Sequence, residues 1–95
     1  MVHVFGVRIK VADYAKWKAS FDSSAPIRKA AGEMSYRLFR SVDDPNELLL
    51  MGEWDTAENA RAFIHSEELR KAQEEAGVVG LPDSMVVEEI DQGRL

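Results

Sequence analysis

In this 95-residue chain the side chains with obvious chemistry are few: two histidines, two tyrosines, two tryptophans and no cysteine. Without cysteine there are no disulfides, thiolate metal sites or thiol nucleophiles. His3 falls on the stronger core face of an alternating segment, either as a satisfied histidine at the open end of a strand or as a polar group at a pocket mouth. His65 follows Phe63 by two positions in a helical stretch, a turn of about 200°, so it points away from where Phe63 points. At the end of that helical piece its cationic form suits the dipole. The two histidines share no ligand spacing and no adjacent carboxylate motif, so no metal site is expected. His3, Tyr36 and His65 are the catalytic candidates, each able to polarise a carbonyl. Phe5, Trp17, Phe39, Trp54 and Phe63 come from several segments. They form a core or, should a cavity remain, the lining for a flat aromatic ligand, with Tyr36 and Trp54 supplying O–H and N–H donors.

The elements that must position these groups follow from periodicity. Val2 to Val11 alternates, with His3, Phe5, Val7, Ile9 and Val11 on one face and Val2, Val4, Gly6, Arg8 and Lys10 on the other. Gly6 inside that strand predicts a bulge or a close backbone approach. Asp13 caps a helix in which Tyr14, Trp17 and Phe21 form an inward stripe. Pro26 fits the first turn of a second helical piece, closed by Gly32. Met34 to Val42 is a strand, Asp43-Asp44-Pro45-Asn46 a turn, and Glu47 to Trp54 a third strand. Asp55-Thr56-Ala57-Glu58 reads as a capping box with Asp55 as N-cap, opening a helix that turns Ala57, Ala60, Phe63 and Ile64 inward. Ser66 recaps a helix over Glu67 to Ala76, with Glu67–Lys71, Arg70–Glu74 and Lys71–Glu75 as i,i+4 pairs, and Gly77 ends it. Val78 to Asp83 reads as a loop and Ser84 to Asp91 as the last strand.

This order is an α+β, ferredoxin-like β-α-β-β-α-β arrangement, an antiparallel sheet with helices on one face, and one domain over residues 1–95. The third strand is apolar on both faces, Leu48, Leu50 and Trp54 against Leu49 and Met51, which calls for a layer on each side. Helices supply one. A second copy of the chain, docked through the open sheet face, supplies the other. Arg8, Arg37, Arg40, Glu53, Glu88 and Glu89 lie in strands, and those that such a partner buries must pair. A net charge of −5 disfavours nucleic acid, no apolar run reaches membrane-spanning length, and no leader pattern is present, so a cytoplasmic protein is expected.

The opening strand, Asp13-Tyr14-x-x-Trp17-x-x-x-Phe21, and Gly52-Glu53-Trp54-Asp55 followed by Ala60-x-x-Phe63 and Ser66-x-x-Leu69 resemble the dimeric α/β-barrel superfamily. Within it, they resemble the antibiotic-biosynthesis-monooxygenase-like proteins. The resemblance implies a homodimer whose sheets face each other as a barrel, with a ligand cavity in each subunit between helices and sheet. It implies cofactor-independent monooxygenase chemistry on an aromatic or polyketide-like compound, with polyketide cyclase or isomerase activity, or a non-catalytic ligand-binding dimer, as alternatives. Family members often carry a histidine three residues before the position of Ser66; here that residue is Phe63.

Overall fold

The alternation of the first strand separates a closed face from an open one. Phe5, Val7, Ile9 and Val11 are buried, while Arg8 and Lys10 reach solvent. The computed structural model describes residues 3–95, so Val2 lies outside the described residues. The elements are β1 (His3–Val11), α1 (Tyr14–Ser23), α2 (Ala25–Ala31), β2 (Glu33–Arg40), β3 (Glu47–Trp54), α3 (Ala57–Ile64), α4 (Glu67–Glu75) and β4 (Val78–Glu88). The sheet runs β2-β3-β1-β4, antiparallel throughout, as an α+β ferredoxin-like fold.

Capping fixes where the helices begin. The Asp13 carboxylate accepts from the N–H groups of Ala15 and Lys16, and the Ser66 hydroxyl accepts from Leu69 N–H. At α3 the expected capping box is displaced by one residue. Thr56, not Asp55, is the N-cap and accepts from Asn59 N–H, while Asp55 accepts from Thr56 N–H and from the Asn59 amide. Asp55 is held instead as the continuation of β3, its N–H donating to the Gly32 carbonyl. Gly32 closes α2 at φ 127, a conformation that favours glycine.

The core is a layer between helices and sheet. Leu48, Leu50 and Trp54 of β3 join the buried face of β1, and Trp17, Phe21 and Ala60 come down from the helices. Each large apolar side chain so enclosed contributes about 1.5–3 kcal/mol.

Several local expectations are corrected. Val78 to Asp83 belongs to β4 and is not a loop: Val78 and Val79 pair with Val11 and Lys10, and Asp83 pairs with Arg8. Gly80, Leu81 and Pro82 stand opposite Ile9 alone, so the strand bulges there, with Gly80 at φ 73. Pro82 is tolerated because β4 is an edge strand whose outer N–H groups have no ladder to make. The strand stops at Glu88, leaving Glu89 beyond it. Gly6, where a bulge was expected, pairs in register with Met51 and Met85. On α4 the ion pairs are Arg70–Glu67 and Arg70–Glu74; Lys71 makes none among the described residues.

The other sheet face is open. Phe39, Leu49, Met51 and Met85 are all more than a third exposed there. Of the strand charges expected to pair, Arg8 bonds Glu47, Arg37 lies over Phe39 and Arg40 over Tyr14, and Glu53 takes a weak hydrogen bond from Ser35.

Candidate functional site

A cavity of about 90 Å³ lies between helices and sheet. Phe5 and Leu50 border it from the sheet, Trp17 and Phe21 from α1, Phe63 from α3, and Leu69 from α4. One end is polar, where Ser20, Ser24, Arg28 and Glu33 line it.

That polar end is built by helical spacing. Tyr14, Trp17, Phe21, Ser24 and Arg28 alternate steps of three and four residues across α1 and α2, so Arg28 continues the aromatic stripe inward. Its guanidinium carbon is 3.7 Å from the centre of the Phe21 ring. Arg28 Nε donates to Glu33 Oε1 at 3.0 Å, and Nη1 donates to the Ser24 hydroxyl at 2.7 Å and to the Phe21 carbonyl. Both side chains of the pair are only 7% exposed. Two charges so deeply enclosed depend on each other, and removing either leaves the other stranded. Glu33 Oε2, by contrast, takes part in no hydrogen bond among the described residues.

Trp54 completes this corner. It is 1% exposed, and its ring lies 5.1 Å from that of Phe63 and 6.5 Å from that of Phe5. Among the described residues its Nε1 is the one buried side-chain polar atom without a hydrogen-bond partner. Register places Trp54 opposite Glu33 across the β2–β3 ladder. A Cβ on Gly52 would stand 2.7 Å from Glu33 Oε2 and 3.2 Å from Trp54 Nε1. The carboxylate and the indole edge therefore converge over a glycine that has no side chain to hold them off.

The residues singled out from the sequence divide by location. Phe5, Trp17 and Phe63 line the cavity, and Trp54 backs it through Phe5 and Phe63. Phe39 lies on the open sheet face, 40% exposed, away from the cavity. Tyr36 packs edge-on against Phe21 at 5.0 Å but borders an outer groove beside Arg28 and Glu33, not the cavity between helices and sheet. His3 is half-buried in β1 between Trp54 and Glu88, and His65 is the exposed C-cap of α3. Neither histidine lines the cavity. Arg28, Glu33 and Gly52 are the members that sequence reasoning missed. The signal for Arg28 was a charge standing in line with the Tyr14–Trp17–Phe21 stripe.

The family model for antibiotic biosynthesis monooxygenase matches residues 2–75. The chain belongs to that family. Its fold is similar to that of SnoaB from Streptomyces nogalater, described as a cofactor-independent oxygenase, at a TM-score of 0.75 and 15% identity, covering 96% of this chain and 95% of that one. It is also similar to the ActVA-Orf6 monooxygenase of Streptomyces coelicolor, solved with the ligand nanaomycin D, at a TM-score of 0.69 and 16% identity over 99% of this chain and 92% of that one. Rv0793 from Mycobacterium tuberculosis matches at a TM-score of 0.69 and 16% identity, covering 99% of this chain and all of that one. No curated protein matches the sequence significantly. Family and fold together support a monooxygenase-like, small-molecule-binding role. No helix of the described residues is long and apolar enough to cross a membrane.

Proposed function

We propose that the protein is a homodimeric, cofactor-independent oxygenase acting on an aromatic or polyketide-like compound held in the cavity between helices and sheet. The observation that carries this reading is the Trp54 indole N–H, buried and unpartnered behind Phe5 and Phe63 of the aromatic-walled cavity, so that a ligand reaches it as those two rings move apart. An unmet buried donor costs about 1–3 kcal/mol, and a ligand carbonyl would relieve that cost. As charge builds on that carbonyl oxygen, a fixed donor in a water-poor site stabilises it more than water would. Phe5, Trp17 and Phe63 hold the ring in one orientation. A substrate ring methylene exchanges two hydrogens for one oxygen atom of O₂, the second oxygen leaving as water. His3, Tyr36 and His65 are assigned no direct part in this scheme.

The homodimer in this reading forms through the open sheet face. An apolar strip of Phe39, Leu49, Met51 and Met85 flanked by Arg8, Arg37 and Glu53 fits a second copy of itself, and family membership supports it. The cytoplasmic setting belongs to the same proposal.

The test is oxygen uptake by the purified protein with phenolic and anthrone-type substrates. Uptake with a matching product, reduced by about tenfold or more in Trp54→Phe, is expected, in line with the loss of one preorganised donor. Uptake unchanged in Trp54→Phe, or none with any substrate of this class, would remove the oxygenase reading in this form.

A further inference from the structure

Exchanging the hydrogens of a ring methylene for oxygen begins with a carbon–hydrogen bond, and breaking that bond needs a base beside the ring. Of the residues that line the cavity, two carry carboxylates, Glu33 and Glu68. Glu68 stands exposed on α4. Glu33, the first residue of β2, has a side chain only 7% exposed. Its Oε1 accepts from Arg28 Nε, while Oε2 accepts no hydrogen bond among the described residues. Oε2 is not sealed, because it is absent from the side-chain atoms that lack both a partner and free surface. An open carboxylate oxygen on a cavity wall is equipped to accept a proton. His3, Tyr36 and His65 do not border the cavity.

We propose that Glu33 is the catalytic base, taking a proton from the ring methylene through Oε2. The C–H electron pair moves into the ring as an enolate, with its charge on the carbonyl oxygen. The enolate passes one electron to O₂, the radical pair joins as a peroxide anion, and Glu33 returns its proton to the outer oxygen. Glu33 then takes the second hydrogen of the same carbon as a proton. The O–O bond breaks, the carbon becomes a ketone, and the departing hydroxide leaves as water with that proton. Arg28 is a positioning residue. Its Nη1 donates to the Ser24 hydroxyl and the Phe21 carbonyl and its guanidinium lies on the Phe21 ring, so Nε holds Glu33 Oε1 in one orientation. Glu33 borders both the cavity and the outer groove beside Met34 and Tyr36. A ring system larger than the 90 Å³ cavity therefore meets the carboxylate with its methylene edge while its other rings extend along the groove.

This inference rests on the oxygenase reading above and names the base of the same site. It is tested by exchange of the ring-methylene hydrogens of anthrone for deuterium, followed by proton NMR in D₂O without oxygen, using the full chain. The wild-type protein is expected to accelerate exchange over buffer. Glu33→Gln, whose amide oxygen still accepts from Arg28, should lose about 100-fold or more of that acceleration. A purely structural ion pair would leave exchange equal in every variant that folds. Should Glu33→Gln fail to fold, Arg28→Met combined with Glu33→Met, which strands no charge, takes its place. Exchange at the wild-type rate in the folded variant, or none above buffer in the wild type, overturns the proposal. Because no O₂ takes part, this outcome is separable from the oxygenase test. Glu33-dependent exchange without oxygen uptake removes only the oxygenase, and oxygen uptake that survives in Glu33→Gln removes only the base.

Discussion

The two faces of the sheet treat polar groups in opposite ways. On the helix side Arg28 and Glu33 are enclosed, multiply bonded and aligned with an aromatic stripe, and Trp54 keeps an unmet donor beside them. On the open side Arg8, Arg37 and Glu53 reach toward solvent at the margins of Phe39, Leu49, Met51 and Met85. Polar atoms that are buried and fixed can recognise a ligand, because those atoms need not reorganise when it arrives. Polar atoms that border an apolar strip set the register of a docking surface and contribute little energy of their own. On the proposed reading the inner face takes a small molecule and the outer one another copy of the chain.

Substitutions at each face sharpen this contrast. The largest effects belong to the inner face. Trp54→Ala removes a wholly buried ring and should cost about 3–5 kcal/mol in urea unfolding. Arg28→Ala strands Glu33 and should cost a similar amount, about 3–5 kcal/mol. A loss near zero for Arg28→Ala would mean that the pair is solvated and the inner face is not the closed environment described. The open face answers in assembly, not in fold. If the proposed dimer forms through this face, Met51→Glu combined with Leu49→Lys should convert it to a folded monomer, read by sedimentation velocity. An unchanged mass would break the assignment of that face to self-association. Smaller again is Trp54→Phe, which keeps one aromatic ring but deletes the unmet donor and part of the indole's volume. Its ligand-free stability should fall by only about 1–2 kcal/mol, from lost packing alone, since no existing hydrogen bond is broken. The smallest effect is Arg70→Ala on α4. Its bonds to Glu67 and Glu74 raise the arginine's pKa further but lie fully in solvent, so thermal unfolding should not move measurably.

Most of the fold was legible because it is written in short-range periodicity. Alternation marked the buried face of β1, two-sided hydrophobicity marked β3, and Asp13, Gly32 and Ser66 marked helix ends. The errors came where a long-range partner overrode a local signal. Gly80 and Pro82 look like a loop until β1 is alongside, and Asp55 looks like an N-cap until the Gly32 carbonyl draws it into the end of β3. The aromatic half of the cavity could be read as well, since Phe5, Trp17 and Phe63 each fall on an inward face. Its polar half could not. Arg28 and Glu33 are five residues apart around a glycine turn, and nothing local says that both charges turn inward. Gly52 shows its meaning only once β2 lies beside it.

The most direct test of the central claim, that the buried indole N–H of Trp54 is a vacant donor awaiting a ligand oxygen, is an NMR titration of the two tryptophan indole N–H signals, assigned with Trp54→Phe. Adding an anthrone-type compound that binds should move the Trp54 signal strongly downfield, as expected for a new hydrogen bond, with a smaller response at Trp17. A Trp54 signal that stays in place while the compound binds would contradict the account.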